Sequence, residues 1–552
     1  MSERRTLRDL LLLGGAEYAN RPALRFVDTL EYSYHAVARL AEQAATDLAN
    51  RGVTPGDRVV LLSENRPEWG VWYFAITSMG AAVVPILTDF RPADVSRIVD
   101  HCEPAAIVAS DAMAHLLPTR DGPPVVPIAS VDAVRSPHRD DIHLEDCSVE
   151  EDTVAAIIYT SGTTGDPKGV VLTHGNLVSN AKAAKGLVTI GTDDRLLSIL
   201  PLAHTYECTI GFLVPYLAGA SITYLQGPPA LSRLLPALSS VRPTMMLSVP
   251  LIMEKVYQSR VVPVLAKLGT VGRVPLIRKL VHRVAAAKVK RTFGGQLRFF
   301  GVGGAALSPS TERFLREGGF PYAVGYGLTE TAPILAGTNA EETRYRATGP
   351  AIEGVELRLA PISEEEEAAV GSSAEGDDGA KQRFGEVQAR GPNVMRGYFK
   401  NPEATARAFT SDGWFRTGDL GSIDADGYPT IRGRIKTMLL GPSGENVYPE
   451  EIEAAINSEA LVEESLVLSA GDRLVARVRL NVDALAVRIG AVTGDLDADT
   501  IRRHGEKVLS DIKREANAKL ARYARLADIV LQTEEFERTP TRKIKRFLYE
   551  AS

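Results

Sequence analysis

The stretch Tyr159-Thr160-Ser161-Gly162-Thr163-Thr164-Gly165-Asp166-Pro167-Lys168-Gly169 concentrates more usable chemistry than any other part of the chain. Glycines let a backbone turn tightly and bring its N–H groups close to an anion. The hydroxyls of Thr160, Ser161, Thr163 and Thr164 and the ammonium of Lys168 add donors suited to phosphate oxygens. The loop lies between two apolar runs, 154–158 and 170–172, a placement that argues against a Gly/Ser/Thr linker. Its spacing is not that of a Walker A loop, which needs Gly-x-x-x-x-Gly-Lys-Ser/Thr. A second glycine-rich run, 301–306, follows the apolar stretch 297–300. It could pass for a dinucleotide fingerprint, but the acidic residue about 20 positions further on is missing.

Such loops need a frame. At 552 residues the chain is too long for one compact core, so several domains are expected. Apolar residues make up 45% and charged residues 24%, the composition of a soluble globular protein. Short apolar runs at 57–62, 81–87, 153–160, 198–202 and 297–302 read as buried strands, and 69–78 and 309–316 as helices. Their alternation predicts an α/β fold with parallel sheets. From Gly385 onward, β-like pieces and turns (Gly397-Tyr398, Asp412-Gly413, Asp426-Gly427) predict a small β-rich subdomain, and 437–552 a small α+β unit. The acidic run 363–379 reads as a solvated loop. The net charge of -6 gives no whole-protein attraction to nucleic acid. Cys102, Cys147 and Cys208 are far apart and odd in number, which fits neither a metal site nor a disulfide framework and points to a reducing compartment. The apolar run 10–13 is too short for a signal peptide, and no run approaches the roughly 20 residues of a membrane span. A cytoplasmic protein is expected, with at most peripheral membrane contact.

The loop at 159–169 resembles the signature of the adenylate-forming superfamily, which includes acyl-CoA synthetases, peptide-synthetase adenylation domains and beetle luciferases. In that family the loop is mobile and holds the pyrophosphate end of ATP. Further matches follow in the family's order across 63–546. Pro201-Leu202-Ala203-His204-Thr205-Tyr206-Glu207 is similar to the next motif, which implies that His204 lies near the acyl carboxylate. Amino-acid activators carry an Asp in this region to pair with the substrate ammonium. Here Ala203-His204 stands instead, and a buried ammonium without a counter-ion is costly, so an amino acid is disfavoured. The resemblance assigns Gly303, Gly304 and Ala305 to the adenine pocket. In Gly325-Tyr326-Gly327-Leu328-Thr329-Glu330-Thr331, it implies that Gly325 and Gly327 admit the nucleotide and Tyr326 offers adenine a flat face. Thr329 would donate to the α-phosphate, and Glu330 is a hard oxygen ligand suited to Mg²⁺.

Trp414-Phe415-Arg416-Thr417-Gly418-Asp419-Leu420 matches the ribose motif, with Asp419 as acceptor for both hydroxyls. Gly433-Arg434-Ile435-Lys436 resembles the hinge motif, which implies that Arg434 reaches the ribose and Lys436 is the pivot. Thr539-Pro540-Thr541-Arg542-Lys543-Ile544-Lys545-Arg546 resembles the last motif. Its lysine, Lys543, would bind both the carboxylate and the α-phosphate. A common form has Gly before that lysine where this chain has Arg542, and Lys545 is the alternative.

The resemblance implies a large N-terminal domain of stacked α/β subdomains plus the β-rich piece, residues 1–435. A mobile α+β C-terminal domain, 437–552, would rotate about Lys436. It implies a two-step reaction, acyl-adenylate formation from ATP with Mg²⁺ and then transfer to coenzyme A, with Lys543, Thr163, Lys168 and His204 as the catalytic set. Glu64-Asn65-Arg66-Pro67-Glu68-Trp69 and the run 444–453 resemble the long-chain acyl branch, so a fatty acid is the expected substrate. An acyl-AMP ligase or acyl-carrier-protein synthetase, using a protein-bound phosphopantetheine thiol, would share every motif. One segment stands outside them. Residues 261–291 contain no Asp or Glu, and Leu265, Leu268, Val271, Val274, Leu276, Ile277, Leu280, Val281 and Val284 interleave with Lys267, Arg273, Arg278, Lys279, Arg283, Lys288, Lys290 and Arg291. Two short helices split at Pro275 are expected. One reading is a surface for anionic membrane; the other is a helical insertion packed on the N-terminal domain.

Overall fold

The computed structural model describes residues 4–118, 122–132, 141–160, 167–227, 229–269, 271, 274–361, 384–437, 439–440, 446–457, 459, 461–471, 473–489, 498–520, 524–538 and 544–549. The acidic run 363–379 therefore lies outside the described residues. The architecture is the expected mixed α/β one. Two seven-stranded sheets form the N-terminal part. The first runs in the order Tyr322–Val324, Phe299–Val302, Met245–Ser248, Arg195–Ser198, Ser221–Tyr224, Pro22–Phe26, Glu31–Ser33. The second runs Gly397–Tyr398, Lys168–Thr173, Val154–Thr160, Ala82–Ile86, Arg58–Leu62, Ala106–Ala109, Val125–Pro127.

Helix Pro67–Ser78 touches strand Pro22–Phe26 of the first sheet and strands Arg58–Leu62 and Ala82–Ile86 of the second. All twelve of its residues are buried, which explains why its sequence is apolar around the whole circumference. Trp69 stacks on Tyr73, and Phe74 and Phe212 close around them. Glu68 is the one charge in this helix. Arg66 grips both its oxygens, at 2.9 and 2.7 Å, so the buried carboxyl group has its partner.

Two local expectations need correction. The run 198–202 is not a strand. The strand is Arg195–Ser198, and the chain then turns at Pro201, whose carbonyl accepts from His204 N–H at 3.0 Å. Proline has no N–H for a ladder. The sheets are also not wholly parallel, since Val154–Thr160 is parallel to Ala82–Ile86 but antiparallel to Lys168–Thr173. The two strands that flank the glycine-rich loop are therefore ladder neighbours.

A four-stranded antiparallel sheet, Glu356–Ala360, Gly385–Arg390, Phe415–Ile423 and Pro429–Arg434, makes the β-rich piece, which thus begins before Gly385. The last part has its own core, in which Val467 and the alternate residues Leu474, Ala476, Val478 and Leu480 pack with Val508, Leu509 and Ile512 of helix Ala498–Lys519, while Leu466 and Leu468 face Phe536 on the other side of the sheet. The basic segment forms helices Val262–Lys267 and Pro275–Thr292. The second is 18 residues long rather than short. Pro275 sits at its first turn, where a missing N–H costs nothing and the fixed φ starts a helix rather than breaking one. Among the described residues no helix is long and apolar enough to cross a membrane.

Candidate functional site

The most constrained side chain in the cleft is Asp419. It lies on strand Phe415–Ile423, directly opposite Arg434 on strand Pro429–Arg434. Arg434 Nε meets Oδ1 at 2.8 Å, and the Tyr326 hydroxyl donates to Oδ2 at 2.8 Å. Burial, reinforced by the Asp419 charge, holds the Tyr326 phenol well above its usual range, so its proton stays on as a donor. Tyr326 is held in turn by a short antiparallel pairing with Ile334–Ala336. Space here requires glycine. A Cβ on Gly327 would lie 1.8 Å from the Pro333 carbonyl oxygen, and one on Gly303 would lie 2.9 Å from the Tyr206 ring. Gly304, with φ of +85°, then turns the chain toward Ala305.

A second cluster forms where the hairpin ends. Thr160 and Lys168 are partners in the ladder, so they face each other across the base of the glycine-rich loop. Lys168 Nζ lies 5.2 Å above the Tyr398 ring, and the Tyr398 hydroxyl donates to Glu330 Oε1 at 2.9 Å. Tyr398 is placed by pairing of Gly397–Tyr398 with Val171 and Val170 beside the loop. One ring therefore gathers a cation and a carboxylate. Thr329 and Glu330 sit on a short 3₁₀ turn, Thr329–Thr331. Among the described residues no group of three or more His, Cys, Asp or Glu is placed to hold a metal by itself. Mg²⁺ ordinarily uses one or two carboxylates and completes its shell with substrate phosphates and water. A single oriented Glu330 beside phosphate donors fits that requirement. Ser161, Gly162, Thr163, Thr164 and Gly165 lie outside the described residues.

His204 lines the same cleft. Its Nδ1 accepts the Tyr206 N–H at 3.2 Å, which leaves the proton of the neutral ring on Nε2. The loop that carries it is clamped from the other sheet. Asn65 donates to the Leu200 carbonyl at 2.6 Å and accepts from Leu202 N–H at 2.9 Å. It also reaches Ser198 Oγ at 3.3 Å, and that hydroxyl donates to Glu207 Oε1 at 2.6 Å. Glu207 opens a π-helical stretch, Glu207–Leu213, and is buried.

The cleft, about 4590 Å³, brings together Thr160, Lys168, His204, Gly303, Gly304 and Ala305 with Gly325, Tyr326, Gly327, Thr329, Glu330, Asp419 and Arg434. Lys545 also lines it, 3.7 Å from Glu537. Lys543 and the side chain of Lys436 lie outside the described residues. Ile544, next to Lys543, is bridged to Arg538, and Arg546 anchors the segment through Glu453 at 2.6 Å. Sequence reasoning missed Tyr398, Tyr206 and Asn65 as site residues. In the sequence Tyr398 stands only within a turn and Asn65 only within a motif.

Burial pushes the Glu207 carboxyl up to about 8, against the Ser198 hydrogen bond that favours its charged form. The folded state thus holds this proton more tightly than the unfolded chain. The stability it contributes is full below the ordinary carboxyl value of 4.5 and is lost as pH rises toward 8. Glu207→Gln removes that titration. Calorimetry across this window should show the melting temperature of the variant gaining on that of the native protein as pH rises. A difference that does not change with pH would mean that Glu207 titrates normally.

The model of the AMP-binding enzyme family matches residues 14–399, well over half of the chain. A long-chain-fatty-acid–CoA ligase of Mycobacterium bovis is 30% identical, over 91% of this chain and 88% of its own. A feruloyl-CoA synthase of Amycolatopsis sp. is also 30% identical, over 80% of this chain and 81% of its own. ATP-bound MatB from Rhodopseudomonas palustris superposes with a TM-score of 0.74 at 25% identity, with 99% of this chain and 98% of that one covered. The family match covers well over half of the chain, and the chain belongs to the AMP-binding enzyme family as an ATP-dependent acyl-CoA ligase.

Proposed function

We propose that the acid is a medium- or long-chain fatty acid, activated to an acyl-adenylate and passed to coenzyme A with release of AMP and pyrophosphate. The observation that carries this reading is the wall of the cleft beyond His204. Leu225, Leu231, Leu234, Val249, Leu251 and Ile252 line it, a surface that can bury methylenes at roughly 0.8 kcal/mol each. The 30% identity to a long-chain ligase adds support, while equal identity to a feruloyl-CoA synthase makes aromatic acids the competing class. Steady-state assays with acids of increasing length should give kcat/KM rising with each added methylene, with ferulate a poor substrate. A preference for ferulate would remove the fatty-acid assignment.

The first half-reaction brings two anions together, the acid carboxylate and the triphosphate, so positioning and charge neutralisation dominate. Asp419 and Arg434 hold the ribose, and Tyr326 packs beside adenine with Gly303, Gly304 and Ala305. Lys168 and the donors of Thr160, Ser161, Gly162, Thr163, Thr164 and Gly165 take the β- and γ-phosphates. Thr329 donates to the α-phosphate. His204 orients the carboxylate through its Nε2 proton. Glu330 holds Mg²⁺, which when bound neutralises phosphate charge, and Tyr398 fixes the angle of Glu330. Lys543 bridges carboxylate and α-phosphate. Residues 437–552 act as a mobile unit pivoting at Lys436, so that Lys543 leaves before the thiol arrives.

Lys543→Ala should slow adenylation by roughly 10²- to 10³-fold, the usual cost of one preorganised charge contact, and leave thiolysis of a pre-made acyl-adenylate intact. Lys545→Ala should be mild; the reverse ranking would transfer the role to Lys545. Glu330→Gln should shift the Mg²⁺ titration of adenylation to higher concentration. An unmoved curve would take Glu330 out of the metal shell.

A further inference from the structure

The first sheet and its helices carry a charge asymmetry that the reaction does not use. Between Cys208 and Thr311 there are thirteen Lys or Arg and a single carboxylate, Glu254. Glu254 is turned inward, where its Oε1 accepts the Ser308 N–H at 3.0 Å. The same region holds most of the exposed apolar surface. Of fourteen large apolar side chains exposed among the described residues, ten fall between Leu231 and Val284.

Helix Pro275–Thr292 displays both features on one face. Its inner side, His282, Ala286 and Val289, is buried, with His282 against Phe314 of the neighbouring helix. Its outer side carries Leu276, Leu280 and Val284, which are 79%, 62% and 64% exposed. A spacing of four residues aligns them in one stripe. Lys279, Arg283 and Lys288 are exposed beside that stripe. Arg278 is engaged differently, by Glu317 at 2.6 Å. Exposed apolar residues of the same region also reach the cleft. Leu231 and Leu251, both exposed, line the cleft together with Lys255 and Pro263.

We propose that this face docks on the surface of an anionic lipid bilayer, with the Leu276–Leu280–Val284 stripe in the interface and the cations against the headgroups. Solvent-exposed aliphatic side chains flanked by lysine and arginine are what interfacial binding requires. An acidic protein partner would account for the cations but not for the aliphatic stripe. Delivery of a poorly soluble acid from the bilayer to the cleft rests on the fatty-acid reading above; the docking itself does not.

The test is co-sedimentation of the full chain with vesicles of phosphatidylcholine alone and of phosphatidylcholine mixed with phosphatidylglycerol. Binding is expected to the mixed vesicles at low ionic strength, falling about tenfold or more when the salt reaches about 0.5 M, as surface charge is screened. The triple change Leu276→Ser, Leu280→Ser, Val284→Ser should lower binding at least about tenfold with an unchanged melting temperature, since these side chains are exposed. Lys279→Glu with Arg283→Glu should do the same. For both variants, kcat/KM for a short soluble acid should match that of the native enzyme. No binding at low salt, equal binding to the two vesicle types, or native binding by the serine variant would overturn the proposal. Loss in the glutamate variant alone would indicate an acidic macromolecule and would overturn it too. Vesicle binding without activity on fatty acids would leave docking intact and remove the fatty-acid reading.

Discussion

The site depends on one buried carboxylate. Asp419 is taken out of water, which is tolerable only if its charge is met. Arg434 and Tyr326 meet it, and they come from segments 15 and 93 residues away in the chain. The pairing therefore fixes three things together: the register of the small β-sheet, the edge of the glycine-lined pocket, and the last residues before 436. Removing any partner leaves a charge or a phenol stranded in the cleft. The edge of the cleft is thus a lattice formed when the chain folds, and little side-chain freedom remains there to be lost when a ligand arrives.

The same logic recurs around it with neutral groups. Tyr398 joins Lys168 to Glu330, and Asn65 joins the loop before His204 to the far sheet. Each is a single polar side chain serving two segments. Because its hydrogen bonds are made in a sparsely hydrated place, breaking one leaves a backbone or carboxylate group unsatisfied. Glycines supply the opposite property, bare backbone where any side chain would collide. Rigid polar links and empty glycine surfaces together shape the cleft.

Much of this was legible in the sequence. Apolar runs at 57–62, 81–87 and 153–160 mark the strands because a strand inside a sheet covered on both sides buries both faces. The glycine loops stood out because few structures other than ligand-binding turns place so many glycines and hydroxyls beside a strand. The failures have equally physical causes. At 198–202 the apolar character was correctly read, but Pro201 had already ended the strand. At 275 the proline does divide two helices, but it stands in the first turn of the second, the one helical position that welcomes it, so that helix runs 18 residues where a short one is expected. Asn65 was illegible as a site residue because its partners lie 135 and 137 positions away, a relation with no periodic trace. Tyr398 was passed over because its pairing partner is a strand more than two hundred residues earlier.

The two walls of the cleft belong to different cores. The helix Pro67–Ser78, with Asn65 just before it, is locked into the central aromatic cluster that joins both sheets. The side formed by 231–263 packs instead on a separate cluster containing Met253, Tyr257, Phe300 and Phe314. That second cluster also holds Phe300 and Val302, the strand that leads into Gly303 and Gly304. A substitution that reshapes the apolar wall is therefore felt at the glycine-lined pocket, so a lineage built on this scaffold changes the acid it accepts most cheaply through volume-conserving swaps.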